Sequence, residues 1–154
     1  MTKLSLIVPC YNEEQNVEAF YARCQEVFPT DQYEVVFVND GSKDGTYKKL
    51  QKLHEEHDNI LVVNFSRNFG KESAIYAGLH YASGSYISII DADLQQDPEI
   101  VRNMVNILEE KPDIDVVAAY QAQRHEGKLM SWCKDRFYKF INRLSEVDLR
   151  ENAS

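Results

Sequence analysis

The 154-residue chain is 44% hydrophobic and 27% charged, the balance of one soluble globular domain long enough to bury a sizeable core. Its net charge of -8 argues against non-specific nucleic-acid binding, which runs on basic patches, so an anionic ligand would need a cation or a local basic cluster. The three cysteines, Cys10, Cys24 and Cys133, form neither an even disulfide set nor a CxxC pair, which points to a reducing cytosolic setting; no apolar run reaches the ~18 residues of a membrane span, and MTKLSLIVPC turns polar too soon for a signal peptide.

In chain order, residues 4–8 form a short apolar run that predicts a strand, with Pro9 unable to extend its ladder. After the turn YNEE, Val17, Phe20, Tyr21, Cys24, Val27 and Phe28 recur at helical spacing. Residues 33–38 are β-branched and aromatic, and they run into NDGSKDGT, a turn that becomes a helix N-terminus at Thr46. The alternation continues with a strand over 60–65, a helix over 72–82, a strand over 86–90, a Pro-started helix over 98–110 and a fifth strand over 115–120. Such βαβα order predicts an α/β domain spanning 1–154, with a mainly parallel sheet and helices on both faces.

Three strand-to-helix turns carry polar groups toward one edge of that sheet, the edge where open α/β sheets bind ligands. In IVPCYNEE, Tyr11 offers an aromatic face and a hydroxyl and Glu13 an acceptor, which suits a nucleoside; alternatively Asn12 is an N-cap followed by first-turn acids. Asp40, straight after the second strand, can accept bonds from a base or sugar, or close an Asx turn. In SIIDADLQQDPE, alternation points Asp91 and Asp93 into the same crevice, with Gln95 one step further. That set of hard oxygen donors suits Mg²⁺ or Mn²⁺ bridged to substrate phosphates; the alternative is a solvated acidic turn with Asp97 capping the next helix.

Together the segments IVPCYNEEQNV, VVFVNDGSKDGT, FSRNFGKESAIYAGL and IIDADLQQDPE resemble family-2 glycosyltransferases of the Rossmann-like GT-A fold over nearly the whole chain. Within them, SRNFGK resembles the branch that uses polyprenyl-phosphate acceptors, such as dolichyl-phosphate mannose and undecaprenyl-phosphate glucose synthases. The resemblance implies an inverting, metal-dependent transfer of a sugar from a UDP- or GDP-sugar to a polyprenyl phosphate in cell envelope glycosylation. It implies that Pro9, Tyr11, Glu13 and Asp40, with backbone near Val38, hold the nucleoside. Asp91 and Ala92 would lie by the ribose and diphosphate, and Asp93 and Gln95, assisted by Asp91, would bind Mg²⁺ or Mn²⁺. Asp91 and Asp93 would thus be the catalytic pair, and a basic residue at Arg124 would contact the donor diphosphate.

Residues 128–145 are basic and aromatic at helical spacing, with Lys128, Lys134, Arg136, Lys139 and Arg143 among Phe137, Phe140 and Ile141. Such a helix suits a membrane surface, with Trp132 at headgroup level, or packing on the sheet with its lysines snorkelling outward. Arg136 suits the acceptor phosphate by bidentate pairing. Family members continue past LRENAS into an acceptor segment, so the resemblance implies an amino-terminal piece of a protein at the cytoplasmic face of a membrane, itself soluble, with donor binding expected to survive and turnover left open. Other readings are a family-2 transferase with a glycan acceptor, or a nucleotide-sugar-binding module without chemistry. His54, His57, His80 and His125 share no metal spacing, Ser66 and Ser73 lack a triad, and Gly41 and Gly45 make no Walker loop.

Overall fold

The computed structural model describes residues 3–29 and 32–119. They form β1 (Leu4–Cys10), α1 (Val17–Val27), β2 (Tyr33–Asn39), α2 (Thr46–Glu56), β3 (Ile60–Asn64), α3 (Lys71–Tyr81), β4 (Tyr86–Ile89) and α4 (Pro98–Glu110). The four strands pair in parallel in the order β3-β2-β1-β4, with Leu4 opposite both Tyr33 and Tyr86 and Val35 opposite Ile60. Parallel strands need crossovers, and α1, α2 and α3 supply them.

Pleat alternation divides the core between the two faces. Leu4, Leu6 and Val8 of β1 join Tyr33, Val35 and Phe37 of β2 under Phe20, Cys24, Leu50, Leu53 and Val101, so α1, α2 and α4 share one face. Val36 and Val38 meet Ala74 and Ala77 of α3 on the other. Because β1 and β2 are covered on both faces they read as continuous apolar runs. The edge strand β4 is covered on one side: Ile87 and Ile89, on the α3 face, remain nearly half exposed.

The first strand reaches Cys10, two residues further than its sequence suggests, and Pro9 pairs in register with Val38. In parallel pairing, residues of one parity turn their N–H and C=O to the same neighbour. The carbonyls of Lys3 and Ile7 point toward β4, accepting from Tyr86 and Ile90, whereas Cys10 accepts from Asp40 beyond β2. Pro9 therefore faces the β4 side, where it has no N–H to offer the next rung, so the ladder to β4 ends at Ile7 and Ile89 while the ladder to β2 runs on to Cys10. The expected fifth strand is corrected: residues 115–119 form no strand, and Tyr120 lies outside the described residues. Asp115, Val116 and Val117 line a cavity of about 130 Å³ beside β4 and α4, and Val116 is largely exposed. β-branched composition does not make a strand without a ladder partner.

Side chains tie the sheet's carboxyl edge together. Asn39 donates from Nδ2 to Asn64 Oδ1 at 2.7 Å, and its own Oδ1 accepts from the Ser42 hydroxyl. Ser42 Oγ in turn accepts from the backbone N–H of Asn12, whose Oδ1 accepts from Lys43 N–H. Asp40, 3% exposed, accepts from the backbone N–H groups of Phe69 at 2.7 Å and Gly70 at 3.0 Å, so it pins the β3–α3 loop instead of closing a turn of its own. Gly41 follows with φ +64°, and any Cβ there would stand 2.3 Å from the Arg67 carbonyl carbon.

Two consequences follow for stability. Asp40→Ala leaves both loop N–H groups without their charged acceptor and is expected to cost about 2–3 kcal/mol, read as a lower urea midpoint at unchanged slope. Gly78 of α3 lies over Ile7, whose Cγ2 would be 2.4 Å from an added Cβ. Ile7 is fully buried and branched at Cβ, so it cannot swing aside. Overpacking of about 1–3 kcal/mol outweighs the ~1 kcal/mol gained in helix propensity. Gly78→Ala is expected to lower the melting temperature despite that gain.

Candidate active site

β1 has β2 on one side and β4 on the other, so chain connections leave it in opposite directions and open a crevice at its carboxyl end. A cavity of about 340 Å³ occupies that crevice. β1 contributes Pro9 and Cys10, and the loop after it Tyr11 and Glu13; Asp40 stands one residue beyond β2. Asn68, Gly70 and Lys71 come from the start of α3, and Asp91 and Asp93 from the loop after β4. Among the described residues, four carboxylates therefore line this space with one ammonium.

Alternation places Asp91 and Asp93 on the cavity while Ala92 between them is buried in the core. Leu94 then takes φ 58°, left-handed backbone that costs a non-glycine residue about 1–2 kcal/mol. That bend lets Gln95 N–H donate to Asp93 Oδ1 at 3.0 Å, closing a turn around the carboxylate. Asn12, on the opposite rim, is the other non-glycine residue at positive φ among the described residues. Strain of this kind concentrates at ligand-binding rims.

Asp91 is held by Lys71, whose Nζ lies 2.6 Å from Oδ1 and 2.9 Å from Oδ2. Glu13 Oε2 accepts from Asn16 Nδ2 at 2.6 Å, and Glu13 N–H donates to Thr46 Oγ1, so the acid is steadied from both ends. Tyr11 is 42% exposed and presents its ring to the cavity. Burial, then the Glu13 and Asp91 charges, push the Cys10 thiol far above its ordinary range, so it stays protonated and is no nucleophile. Asp97 caps α4 by accepting from Glu99 N–H at 2.9 Å; that bond, then Arg23, holds its carboxyl below the usual range.

Pro9, Tyr11, Glu13, Asp40, Asp91 and Asp93 are thus brought together around one cavity. Val38 is in the core under α3, and Ala92 is buried on the other side, so neither side chain faces the crevice. Gln95 contributes its N–H to Asp93 and is not among the lining residues. Arg124, Arg136 and residues 128–145 lie outside the described residues. Asn12 is not an N-cap, since α1 begins five residues later, at Val17, behind Asn16. Three histidines have packing roles: His54 Nδ1 lies 2.6 Å from the Ile60 carbonyl, His57 rests on Tyr21 and His80 on Tyr76. Sequence reading missed Asn68 and Lys71 as lining residues, although the signal was present in the basic loop SRNFGK.

No three His, Cys, Asp or Glu side chains among the described residues cluster as a self-contained metal site. The chemistry of the donor set still fits a hard cation, because Mg²⁺ and Mn²⁺ are held by one or two carboxylates with substrate phosphates and water completing the shell. Asp91 and Asp93 supply those two carboxylates on one wall.

The chain is 41% identical over 153 residues to the uncharacterized glycosyltransferase sll0501 of Synechocystis sp., covering 98% of this chain and 48% of that protein. It is 37% identical over 153 residues to a bactoprenol glucosyl transferase of Shigella phage SfV, covering 98% and 50%. The chain therefore spans about half the length of the curated relatives it matches. Among solved structures, the mannosyltransferase PcManGT of Pyrobaculum calidifontis in complex with GDP-Man and Mn2+ superposes with a TM-score of 0.62 at 32% identity, over 69% of this chain and 32% of that one. S. aureus TarS 1-349 in complex with UDP gives 0.63 at 23% identity over 81% and 40%, a likeness of GT-A fold alone. The family described as Glycosyl transferase family 2 matches residues 5–152, and the chain belongs to that family.

Proposed function

We propose that this chain carries the donor half of an inverting glycosyltransferase that moves a sugar from a nucleotide-sugar to a polyprenyl phosphate, with Mg²⁺ or Mn²⁺ as cofactor. The observation that carries the reading is the convergence of Asp91 and Asp93 with Tyr11, Glu13 and Asp40 around one cavity at the switch point of the sheet. Two comparisons support its finer parts: relatives are named bactoprenol glucosyl transferases, and a structural neighbour at 32% identity holds GDP-Man and Mn2+.

In this reading the Tyr11 ring stacks on the base, while Glu13 and the remaining lone pairs of Asp40 accept from base and ribose. Asp91 orients the ribose and diphosphate, and Asp93 with Asp91 holds the cation; Gln95 joins as a ligand by turning its amide inward. The cation supplies Lewis-acid stabilisation of the charge developing on the departing nucleoside diphosphate. An acceptor phosphate oxygen attacks the anomeric carbon as the bond to the diphosphate oxygen breaks, with inversion. A phosphate monoester, with second pKa about 6, is already deprotonated at neutral pH, so the protein's task at that end is positioning rather than proton removal. Arg124 and Arg136 belong to the same proposal, on donor diphosphate and acceptor phosphate respectively.

The acceptor places the working protein against the cytoplasmic face of a membrane, with residues 128–145 as the basic surface element. No helix among the described residues is long and apolar enough to cross one. UDP is the preferred donor nucleotide over GDP, by likeness to bacterial members. Calorimetric titration of the chain with UDP and with GDP, each with and without Mn²⁺, is expected to show metal-dependent binding of one of them. Asp93→Ala is expected to weaken that binding about tenfold or more. Metal-independent binding, or binding that survives Asp93→Ala, overturns the donor-site reading.

A further inference from the structure

Lys71 breaks a local rule. It opens α3, where the helix dipole favours acids, and so places an ammonium at the positive end of the helix. A residue that defies its local preference while lining a cavity is a sign of a functional constraint. The side chain reaches across the crevice to take both oxygens of Asp91, at 2.6 and 2.9 Å. Both partners are about half exposed, so the pair is weak and exchangeable rather than a structural tie.

The charge balance of the cavity is one-sided. Glu13, Asp40, Asp91 and Asp93 face it, and among the described residues Lys71 is the sole cation lining it. Arg67, on the neighbouring loop, is instead stacked over the Phe69 ring with its guanidinium 4.4 Å from the centroid. A diphosphate entering this space adds further negative charge. Asp91 also cannot give the same lone pairs to an ammonium and to a divalent cation, and the doubly charged ion at a shorter ligand distance wins that competition. The freed ammonium, on a flexible four-carbon stem with three donors, then has anionic oxygens within reach.

We propose that Lys71 is the exchangeable counter-ion of the donor site: it neutralises Asp91 while no divalent cation is bound, and pairs with the donor's diphosphate oxygens once Asp91 has turned to the cation. The proposal rests on the reading of the cavity as a nucleotide-sugar site. It makes Lys71 a competitor of the metal and a partner of the nucleotide, two roles of opposite sign.

Those signs are separable by calorimetry, with manganese electron paramagnetic resonance as a second measure of free Mn²⁺. In Lys71→Ala, affinity for MnCl₂ alone is expected to rise about two- to fivefold as its competitor is removed. Affinity for UDP, or for GDP if the wild type prefers it, is expected to fall about tenfold at saturating Mn²⁺. Lys71→Arg restores nucleotide binding, and circular dichroism of both variants matches the wild type. A parallel fall in both affinities, as a structural role would give, overturns the proposal, and so does an unchanged value for either. A wild-type chain that binds neither nucleotide at saturating Mn²⁺ overturns the donor-site reading itself, whereas wild-type binding that Lys71→Ala leaves unaltered overturns the role of Lys71 alone.

Discussion

The carboxylate of Asp40 holds the candidate site in shape. It lies one residue beyond β2, almost wholly buried, and it spends two acceptor positions on the N–H groups of Phe69 and Gly70. Together with the packing of Ala74 on Val36 and Val38, it fixes the start of α3 against the sheet, and with it the place of Asn68 and Lys71 on the cavity wall. A carboxylate accepting backbone N–H groups is well suited to the task, because charge-assisted bonds are shorter and stronger than neutral ones. Two further lone pairs remain for a ligand, so one group joins the wall's architecture to its chemistry.

The same economy runs along the rest of the edge. Asn39, Ser42, Asn64 and Asn12 pass hydrogen bonds from loop to loop, which fixes three turns relative to one another without a disulfide or a long insertion. From this hydrogen-bonded rim the side chains of Tyr11, Lys71 and the two aspartates after β4 project into the cavity. A site of this kind separates position from charge. Backbone and amides set where a ligand sits, while the ionic partners rearrange around it.

Much of this was legible in the sequence, for stated reasons. The strands covered on both faces read as apolar runs, α4 announced itself through Asp97 and Pro98, and the acids after β4 were visible because an extended backbone alternates its side chains. Six lining residues, Pro9, Tyr11, Glu13, Asp40, Asp91 and Asp93, were named correctly as neighbours. The errors came from tertiary facts. Residues 115–117 have strand composition but lie across a cavity from β4, and no local pattern reveals a missing ladder. Pro9 was read as a strand stop, yet it ends only the ladder to β4; on its other side β1 goes on pairing with β2 to Cys10, which no local pattern shows. The role of Asp40 toward Phe69 and Gly70 spans about thirty residues of sequence, beyond the reach of any turn signature. Lys71 sat in a segment noted for its resemblance, but its partner Asp91 is twenty residues away.

Cys10 adds a consequence of another kind. Its sulfur lies on the floor of the cavity, and burial together with Glu13 and Asp91 keeps it a neutral thiol donating to the Val8 carbonyl. Oxidation to sulfenic acid, glutathionylation and alkylation all begin from a thiolate. By suppressing that form, burial first and the neighbouring acids second make Cys10 a poor target for peroxide and for thiol exchange. A sulfur atom beside the cavity thus serves as inert packing, shielded chiefly by its own burial.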